Sequence, residues 1–209
     1  ISTKDAFIIT ALSWILFTIL CSVPFIYSEI NLSIIDAIFE SMSGVTTTGA
    51  TILNNLDQAP KGILIWRAIL QWLGGIGIIV IALVILPFLR IGGMQLFHLE
   101  GDDPYDKFLP KISSVVSKIF IVYFILTIIL FSLYYINGMS LFDSIAHSFT
   151  TISTGGFSTH NDSFAYFDNI TILNIAIIFM IIGSFPFLVL AQSSFSNITS
   201  IIKDHQIRL

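Results

Sequence analysis

The hydrophobic pattern of this chain consists of long apolar runs separated by shorter, more polar stretches. A helix needs about 20 apolar residues to cross the roughly 30 Å apolar core of a bilayer. Four runs reach that length: residues 6–28, 62–88, 115–136 and 170–192. Gly183 and Pro186 are expected to bend the last of them. The pattern therefore predicts an all-α integral membrane protein.

Two shorter segments interrupt this pattern, one between the first and second runs and one between the third and fourth. They read LSIIDAIFESMSGVTTTGAT (32–51) and MSLFDSIAHSFTTISTGGFS (139–158). At a constant offset of 107 residues, six of the twenty aligned positions are identical. Because the flanking apolar runs repeat as well, the sequence predicts two tandem membrane–pore–membrane repeats.

Each pore segment begins with a Ser-x-x-Asp sequence, formed by Ser33 and Asp36 in the first and by Ser140 and Asp143 in the second. In this capping pattern the hydroxyl accepts a free backbone N–H and the carboxylate reaches back toward the cap. About ten helical residues follow, and at about 1.5 Å per residue they extend only halfway across a bilayer. We therefore predict two re-entrant pore helices, after which the chain turns back outward.

The residues that follow each pore helix are small or carry a hydroxyl. Non-helical backbone at membrane depth is tolerated where it is buried in protein or lines a watery cavity. Glycine permits the backbone angles that aim successive carbonyls one way, and carbonyls around an axis replace the water shell of a cation. An ordinary loop is the alternative, but the duplication favours a cation filter. Its predicted residues are Thr46, Thr47, Thr48, Gly49, Ser153, Thr154, Gly155 and Gly156.

Composition supports a membrane protein and excludes other classes. Only 11% of the residues are charged, against about 25% in an ordinary soluble domain, and the net charge is −4. Since the chain also has no basic block, a soluble domain, a disordered chain and a nucleic-acid-binding protein are excluded. Cys21 is the single cysteine, so a disulfide framework and a cysteine-based metal site within this chain are excluded as well.

Basic residues are distributed unevenly about the four spans. Seven lie on the side of the termini: Lys4, Arg90, Lys107, Lys111, Lys118, Lys203 and Arg208. The other side has only Lys61 and Arg67. This distribution predicts cytoplasmic termini and outward-facing pore segments. Acidic residues are frequent on the outer side, where they would concentrate cations.

The repeat pattern also sets the expected domain boundaries. They are a first repeat at 1–89 with its pore segment at 33–51, a linker at 90–114, a second repeat at 115–192 with its pore segment at 140–158, and a tail at 193–209. We expect the linker and the tail to be cytoplasmic. Because residue 1 is Ile rather than Met, we also expect the chain to be a piece of a longer protein.

Two polar residues in the membrane region need partners. His147 occupies the position that Glu40 has in the first pore segment. It could act as a proton relay, but a hydrogen bond within the packed structure is favoured. Arg67 lies near the outer end of its span, so we expect it to extend to the interface or to pair with an outer carboxylate such as Asp57.

Metal, nucleotide and catalytic sites are weakly supported. The linker carries an acidic run of four residues: Glu100, Asp102, Asp103 and Asp106. Gly101 and Pro104 favour a solvated turn there over a divalent-metal site. The second span contains Gly74, Gly75 and Gly77, for which close helix packing is favoured over a nucleotide loop. No histidines have zinc-ligand spacing with a carboxylate, and we predict no cofactor and no enzymatic activity.

Three stretches resemble a known family. FESMSGVTTTGAT (39–51), WRAILQWLGGIGIIVIALVILPFLRIGGMQLFHLE (66–100) and AHSFTTISTGGFSTHNDSFAYFD (146–168) are similar to the Trk/Ktr/HKT superfamily of potassium transporters, especially its bacterial Trk membrane subunits. The resemblance implies four non-identical repeats around one K⁺ pathway in the inner (plasma) membrane, with one filter glycine per repeat. The matching residues are Gly49 and Gly156, with Gly155 adjacent.

The same resemblance implies partners and alternatives. It implies a homodimer of the complete transporter and a cytoplasmic nucleotide-binding regulatory subunit of the TrkA type, which the linker 90–114 could contact. Since the chain holds two repeats rather than four, we expect a fragment of a longer transporter in preference to two copies paired about a two-fold axis. A non-conducting membrane scaffold or truncated remnant is the alternative function. A secondary transporter for another solute would need a solute-binding constellation that the sequence does not contain.

Overall fold

All regular secondary structure in the described residues is helical. The structure, a computed structural model, describes residues 3–89, 104–185 and 187. The helices are α1 (Thr3–Ile26), α2 (Ile34–Val45), α3 (Lys61–Leu89), α4 (Pro104–Ile136), α5 (Leu141–Ile152) and α6 (Ile170–Gly183). Short 3₁₀ turns at Leu56–Gln58 and Ser163–Phe167 follow the two pore segments. The predicted all-α class is confirmed.

The helices lie close to the predicted spans, with two differences. Helix α4 begins at Pro104, inside the region predicted to be a linker. Helix α6 ends at Gly183, the residue at which a bend is expected, and Ser184 caps it. Pro186 and the last residues of the predicted fourth span lie outside the described part of the chain. The Ser184 N–H still donates to the carbonyls of Met180 (3.0 Å) and Ile181 (3.2 Å), so the last turn is shared between α and 3₁₀ hydrogen bonding.

Three described helices are long and apolar enough to cross a membrane. Their apolar segments are Phe7–Ile26, Lys61–Ile79 and Ser114–Ile136. Helix α1 exposes Leu12, Leu16 and Leu20, which recur every four residues and are 59–60% exposed. A continuous exposed apolar stripe of this kind is unfavourable in water and favourable against lipid tails.

Each repeat builds its own core, and α3 contributes to both. In the first repeat, Phe25 of α1, Val45 of α2 and Leu70 of α3 are fully buried in one cluster. In the second, residues of α4, α5 and α6 form another cluster, which also contains Ile76 of α3. Helix α3 therefore packs against both pore helices and joins the two repeats.

The predicted caps are formed at both pore helices. The Ser33 Oγ accepts the N–H of Asp36 at 3.2 Å and donates to its carboxylate at 2.7 Å. In the second repeat Ser140 makes the same two contacts with Asp143, at 3.1 and 2.6 Å. The carboxylate thus reaches back to the cap hydroxyl, and both helices begin where the sequence predicts.

A glycine lies beneath the end of each pore helix. A side chain at Gly74 of α3 would overlap the carbonyl oxygen of Val45, the last residue of α2. Gly183 of α6 lies in the same way against the carbonyl of Ile152, which is equivalent to Val45 at the offset of 107. Close packing is therefore confirmed as the role of Gly74.

We predict that Gly74→Ala destabilises the fold by about 1–3 kcal/mol, the usual cost of overpacking against a fixed neighbour. The obstacle is backbone, which cannot rotate away as a flexible side chain can. Thermal unfolding in detergent measures the effect. Gly62→Ala is the matched control, because it lies on the same helix with no described atom within 4 Å of the added carbon. Equal unfolding temperatures for the two variants would contradict this packing.

Candidate ion filter

The loops after α2 and α5 have the same backbone structure. In each loop, the N–H of the second residue donates to the backbone carbonyl three positions back. The N–H of the next residue donates to the carbonyl five positions back. In the first loop these bonds are Thr47 to Gly44 (3.0 Å) and Thr48 to Ser43 (2.9 Å), and in the second they are Thr154 to Thr151 (3.0 Å) and Gly155 to Thr150 (2.8 Å). This pairing is the Schellman arrangement that ends many helices.

Two residues in each loop have a positive φ angle. They are Thr47 (φ 55°) and Gly49 (φ 80°) in the first loop, and Thr154 (φ 53°) and Gly156 (φ 85°) in the second. A β-branched threonine in the left-handed region is unusual and costs about 1–3 kcal/mol. The same strained conformation therefore occurs at equivalent positions of both repeats. Of the two adjacent glycines in the second loop, Gly156 has the conformation of Gly49.

The carbonyl oxygens of the predicted filter residues are left without donors. Among the described residues, no hydrogen bond is accepted by a carbonyl of Thr46–Gly49 or Ser153–Gly156. These two runs of carbonyls are therefore available to a ligand that accepts their lone pairs, such as a cation.

The two loops also touch each other. A side chain on Gly49 would overlap the carbonyl oxygen of Gly155, so the loops approach backbone to backbone. At Gly156, by contrast, no described atom lies within 4 Å of the place a Cβ would take. The structure thus brings the two predicted halves together on one side and leaves Gly156 open on the other.

A buried ion pair lies behind the first loop. The Nε of Arg67 on α3 donates to Oε1 of Glu40 on α2 at 2.7 Å, and both side chains are at most 1% exposed. The expectation that Arg67 pairs with Asp57 or extends to the interface is wrong. Its guanidinium pairs instead with the buried Glu40 of the pore helix, while the Asp57 carboxylate is bonded to His160 and Asn161.

The same arginine connects both loops. Its Nη2 donates to the Thr51 hydroxyl at 2.9 Å, and its Nη1 donates to the carbonyl of Ser158 at 3.0 Å. The guanidinium also lies over the Phe157 ring, 4.1 Å from its centre. Glu40 in turn accepts from the Thr51 hydroxyl and from the N–H of Ile52. The stretch after each filter loop is therefore held by one buried cation.

In the second repeat, His147 takes the place of Glu40. Its Nδ1 lies 2.9 Å from the carbonyl of Asp143, which can only accept, so Nδ1 carries the proton. Its Nε2 lies 3.0 Å from the Ser158 hydroxyl, which is equivalent to that of Thr51. Burial lowers the pKa of His147 to about 4, so the ring is neutral at pH 7. Both nitrogens are bonded within the fold, which supports the hydrogen-bonding role over a proton relay.

A polar cluster joins the segments that follow the two filter loops. The Asp57 carboxylate lies 2.6 Å from His160 Nδ1 and accepts from the Asn161 amide at 2.7 Å. Asn161 also accepts the N–H of Leu56 at 2.8 Å. On its other side the His160 ring stacks on Tyr166, with 3.4 Å between ring centres. We call this group the outer clasp.

Sequence reasoning missed one residue near the second loop. Gln71, one turn after Arg67 on α3, is fully buried and accepts the N–H of Phe157 at 3.1 Å. A buried amide on an otherwise apolar span is the signal that could have identified it. Among the described residues, no group of His, Cys, Asp and Glu is arranged to hold a metal ion. Glu100, Asp102 and Asp103 of the acidic run lie outside the described residues, and the side chain of Asp106 is not described either.

We predict that Arg67→Met costs about 3–5 kcal/mol, because it leaves the Glu40 carboxylate buried without its partner. The double variant Arg67→Met/Glu40→Leu removes both charges and should be closer to the wild type than Arg67→Met alone. The coupling is measured from the unfolding midpoints, in detergent, of the wild type, Arg67→Met, Glu40→Leu and the double variant. Additive effects of the two substitutions would contradict the buried pair.

The outer clasp should be sensitive to acid. The hydrogen bond from His160 lowers the pKa of Asp57 below its ordinary value of 3.8. The stabilisation from ionised Asp57 is therefore fully present above pH 3.8 and is lost as the pH falls through the lower pKa of the folded state. We expect the unfolding temperature of Asp57→Asn to be lower than that of the wild type near neutrality. In acid the two temperatures should converge.

The matched control is Asp162→Asn, because Asp162 lies in the same outer loop and makes no side-chain cap bond. It should leave the unfolding temperature unchanged throughout the pH range. A constant difference between Asp57→Asn and the wild type down to the lowest pH would contradict the lowered pKa.

Several known proteins are similar to this chain along most of its length. The sequence model of the TrkH family, described as cation transport protein, matches residues 1–207. The Trk system potassium uptake protein TrkI of Halomonas elongata is 38% identical over 203 residues, which cover 97% of this chain and 41% of that protein. TrkH of Escherichia coli K12 is 46% identical over 186 residues, which cover 88% of this chain and 38% of that protein.

A solved structure has the same fold. The crystal structure of the potassium transporter TrkH from Vibrio parahaemolyticus matches with a TM-score of 0.80 at 40% identity, over 94% of this chain and 38% of that chain. The chain thus spans about 40% of the length of these relatives. The predicted all-α membrane class and the predicted superfamily are both confirmed. This chain belongs to the TrkH family of cation transport proteins.

Proposed function

We propose that this chain supplies two of the four repeats of a potassium uptake protein and that K⁺ passes along the carbonyls of Thr46–Gly49 and Ser153–Gly156. The observation that carries the proposal is the pair of loops with matching backbone, donor-free carbonyls and direct contact at Gly49 and Gly155. The names of the relatives, Trk system potassium uptake proteins, support K⁺ as the transported ion.

The chemistry of such a site is electrostatic. Carbonyl oxygens replace the water shell of the dehydrated ion. Helices α2 and α5 end immediately before the two loops, so the negative ends of their dipoles face the ion. Arg67 places a cation behind the filter, and the Glu40 carboxylate at 2.7 Å cancels most of its repulsion for K⁺. No catalytic step and no resident cofactor are needed.

Two loops form half of a ring, and the open side of Gly156 is where we place the next repeat. Further repeats of the same longer protein are the preferred source, and a second copy of this chain is the alternative. Four loops would surround the ion, whereas two would leave it facing an incomplete shell. The conducting unit in this proposal is therefore larger than the chain.

The proposed setting follows from the charge distribution. The pore segments face the outside of the inner membrane, where exposed carboxylates such as Glu29, Asp57 and Asp162 attract cations. The termini and the linker face the cytoplasm, where a nucleotide-binding regulatory subunit of the TrkA type would contact the linker. The complete transporter would form a homodimer.

We predict that Gly49→Ser in the complete transporter lowers the preference for K⁺ over Na⁺. Serine is strained at φ 80°, and its side chain would overlap the carbonyl of Gly155. The loops must then separate, which widens the ring of oxygens. Uptake of ⁸⁶Rb⁺ and ²²Na⁺ into proteoliposomes measures the ratio.

The matched control is Gly138→Ser, because Gly138 also has a positive φ, 104°, but has no described atom within 4 Å and lies outside the filter loops. It carries a similar strain without the contact, so it should lower stability and leave the ratio unchanged. An unchanged ratio in Gly49→Ser would overturn the role of that glycine. Absence of K⁺ uptake by the wild type would favour the scaffold alternative.

A further inference from the structure

Gln71 belongs to the first repeat but contacts the filter loop of the second. It lies on α3, which closes the first repeat, and is fully buried in an apolar helix. Its Oε1 accepts the N–H of Phe157, the residue after Gly156, at 3.1 Å. Its Nε2 has no hydrogen-bond partner among the described residues. The amide is thus bonded to the fold only through its acceptor, at the end of the second filter loop.

This hydrogen bond acts on the peptide that carries the Gly156 carbonyl. The carbonyl of Gly156 and the N–H of Phe157 belong to one planar peptide unit, and in a trans unit the two groups point in opposite directions. The described residues contain no cis peptide bond. A fixed acceptor on the N–H therefore turns the Gly156 carbonyl away from α3. The oxygen whose direction is set in this way is one of the predicted K⁺ ligands.

The adjacent glycine is fitted to the same side chain. A Cβ at Gly155 would overlap the carboxamide of Gln71. Gly155 has no left-handed φ, so its backbone conformation would accept alanine. Gly156 requires a glycine because of its backbone angle, and Gly49 because of both its angle and its contact with Gly155. Gly155 requires one because of the space that Gln71 takes.

The contact is a property of one junction between repeats. Aligned on the glycines beneath the pore helices, Gly74 and Gly183, the position of Gln71 in the second repeat is Met180. Met180 is 40% exposed and cannot make the same hydrogen bond. One turn before Gln71, Arg67 holds the carbonyl of Ser158. Two side chains of α3 therefore hold the chain on both sides of Phe157.

We infer that Gln71 is a positioning residue for ion selectivity: its carboxamide orients the Gly156 carbonyl, and Gly155 is the residue that makes room for it. The inference rests on the proposed potassium transport and specifies what orients the Gly156 carbonyl in the second filter loop. Gln71 acts through the backbone of residues 155–157 and does not itself contact the ion.

The test uses the complete transporter in proteoliposomes and compares ⁸⁶Rb⁺ with ²²Na⁺ uptake per folded protein. Gln71→Met has a similar volume and removes the acceptor, so the Phe157 N–H is left buried and unpaired. We expect the K⁺ over Na⁺ preference to fall by up to about tenfold, the scale of one lost hydrogen bond. Leu73→Met is the control on the same helix, 39% exposed and away from the loop, and should leave the ratio unchanged.

A role in stability alone gives a different result. It would lower both fluxes in proportion to the amount of folded protein and leave their ratio at the wild-type value. Such a result for Gln71→Met overturns the inference while the proposed transport stands. A wild type that takes up neither ion overturns the proposed transport itself, so the two failures are distinguishable.

The close fit between Gly155 and the Gln71 carboxamide offers a second test if the Gln71→Met protein does not accumulate in folded form. Gly155→Ala should reduce the folded amount, because the added methyl overlaps the carboxamide. Gln71→Ala/Gly155→Ala removes that overlap and the acceptor together, so it should recover folded protein and still select poorly. A single Gly155→Ala with wild-type yield and selectivity, or a double variant with wild-type selectivity, overturns the inference.

Discussion

The guanidinium of Arg67 is the group on which the arrangement of both loops depends. A cation taken out of water costs several kcal/mol unless its donors are bonded and its charge is balanced. Here the balance comes from Glu40 on the pore helix, and the remaining donors bind Thr51 of one loop and the Ser158 carbonyl of the other. Because these acceptors belong to three separate segments, satisfying one buried charge fixes the positions of all three.

The two repeats preserve geometry while they change chemistry. Glu40 and His147 occupy equivalent positions on the pore helices and hold equivalent hydroxyls, those of Thr51 and Ser158. The first repeat uses a charged pair for this purpose, and the second uses a neutral imidazole. The caps, the left-handed threonines and the glycines beneath the helix ends are the same in both. What recurs is the path of the backbone, which is the part of the structure that supplies the carbonyls.

The sequence was sufficient for local features and insufficient for contacts between distant segments. The Ser-x-x-Asp caps depend on residues three apart, so the pore helices could be located from the sequence alone. The partner of Arg67 could not, because Asp57 and Glu40 both lie on the outer side in a linear reading. Only the packing of α2 against α3 shows that Glu40 is the nearer carboxylate, which leaves Asp57 for the outer clasp. The sequence pattern did not identify Gln71, because an uncharged amide within an apolar run does not by itself indicate a buried partner.

The contacts of α3 show that the two repeats are not structurally independent. Each repeat has its own apolar core, which would suggest an independent unit. Yet Arg67 and Gln71 belong to the first repeat and hold residues 157 and 158 of the second. The backbone that bears the second filter loop is thus supported by its neighbour as well as by its own helices. A carbonyl direction in one repeat can therefore respond to a substitution in another, and a filter built this way requires neighbouring repeats to be in contact.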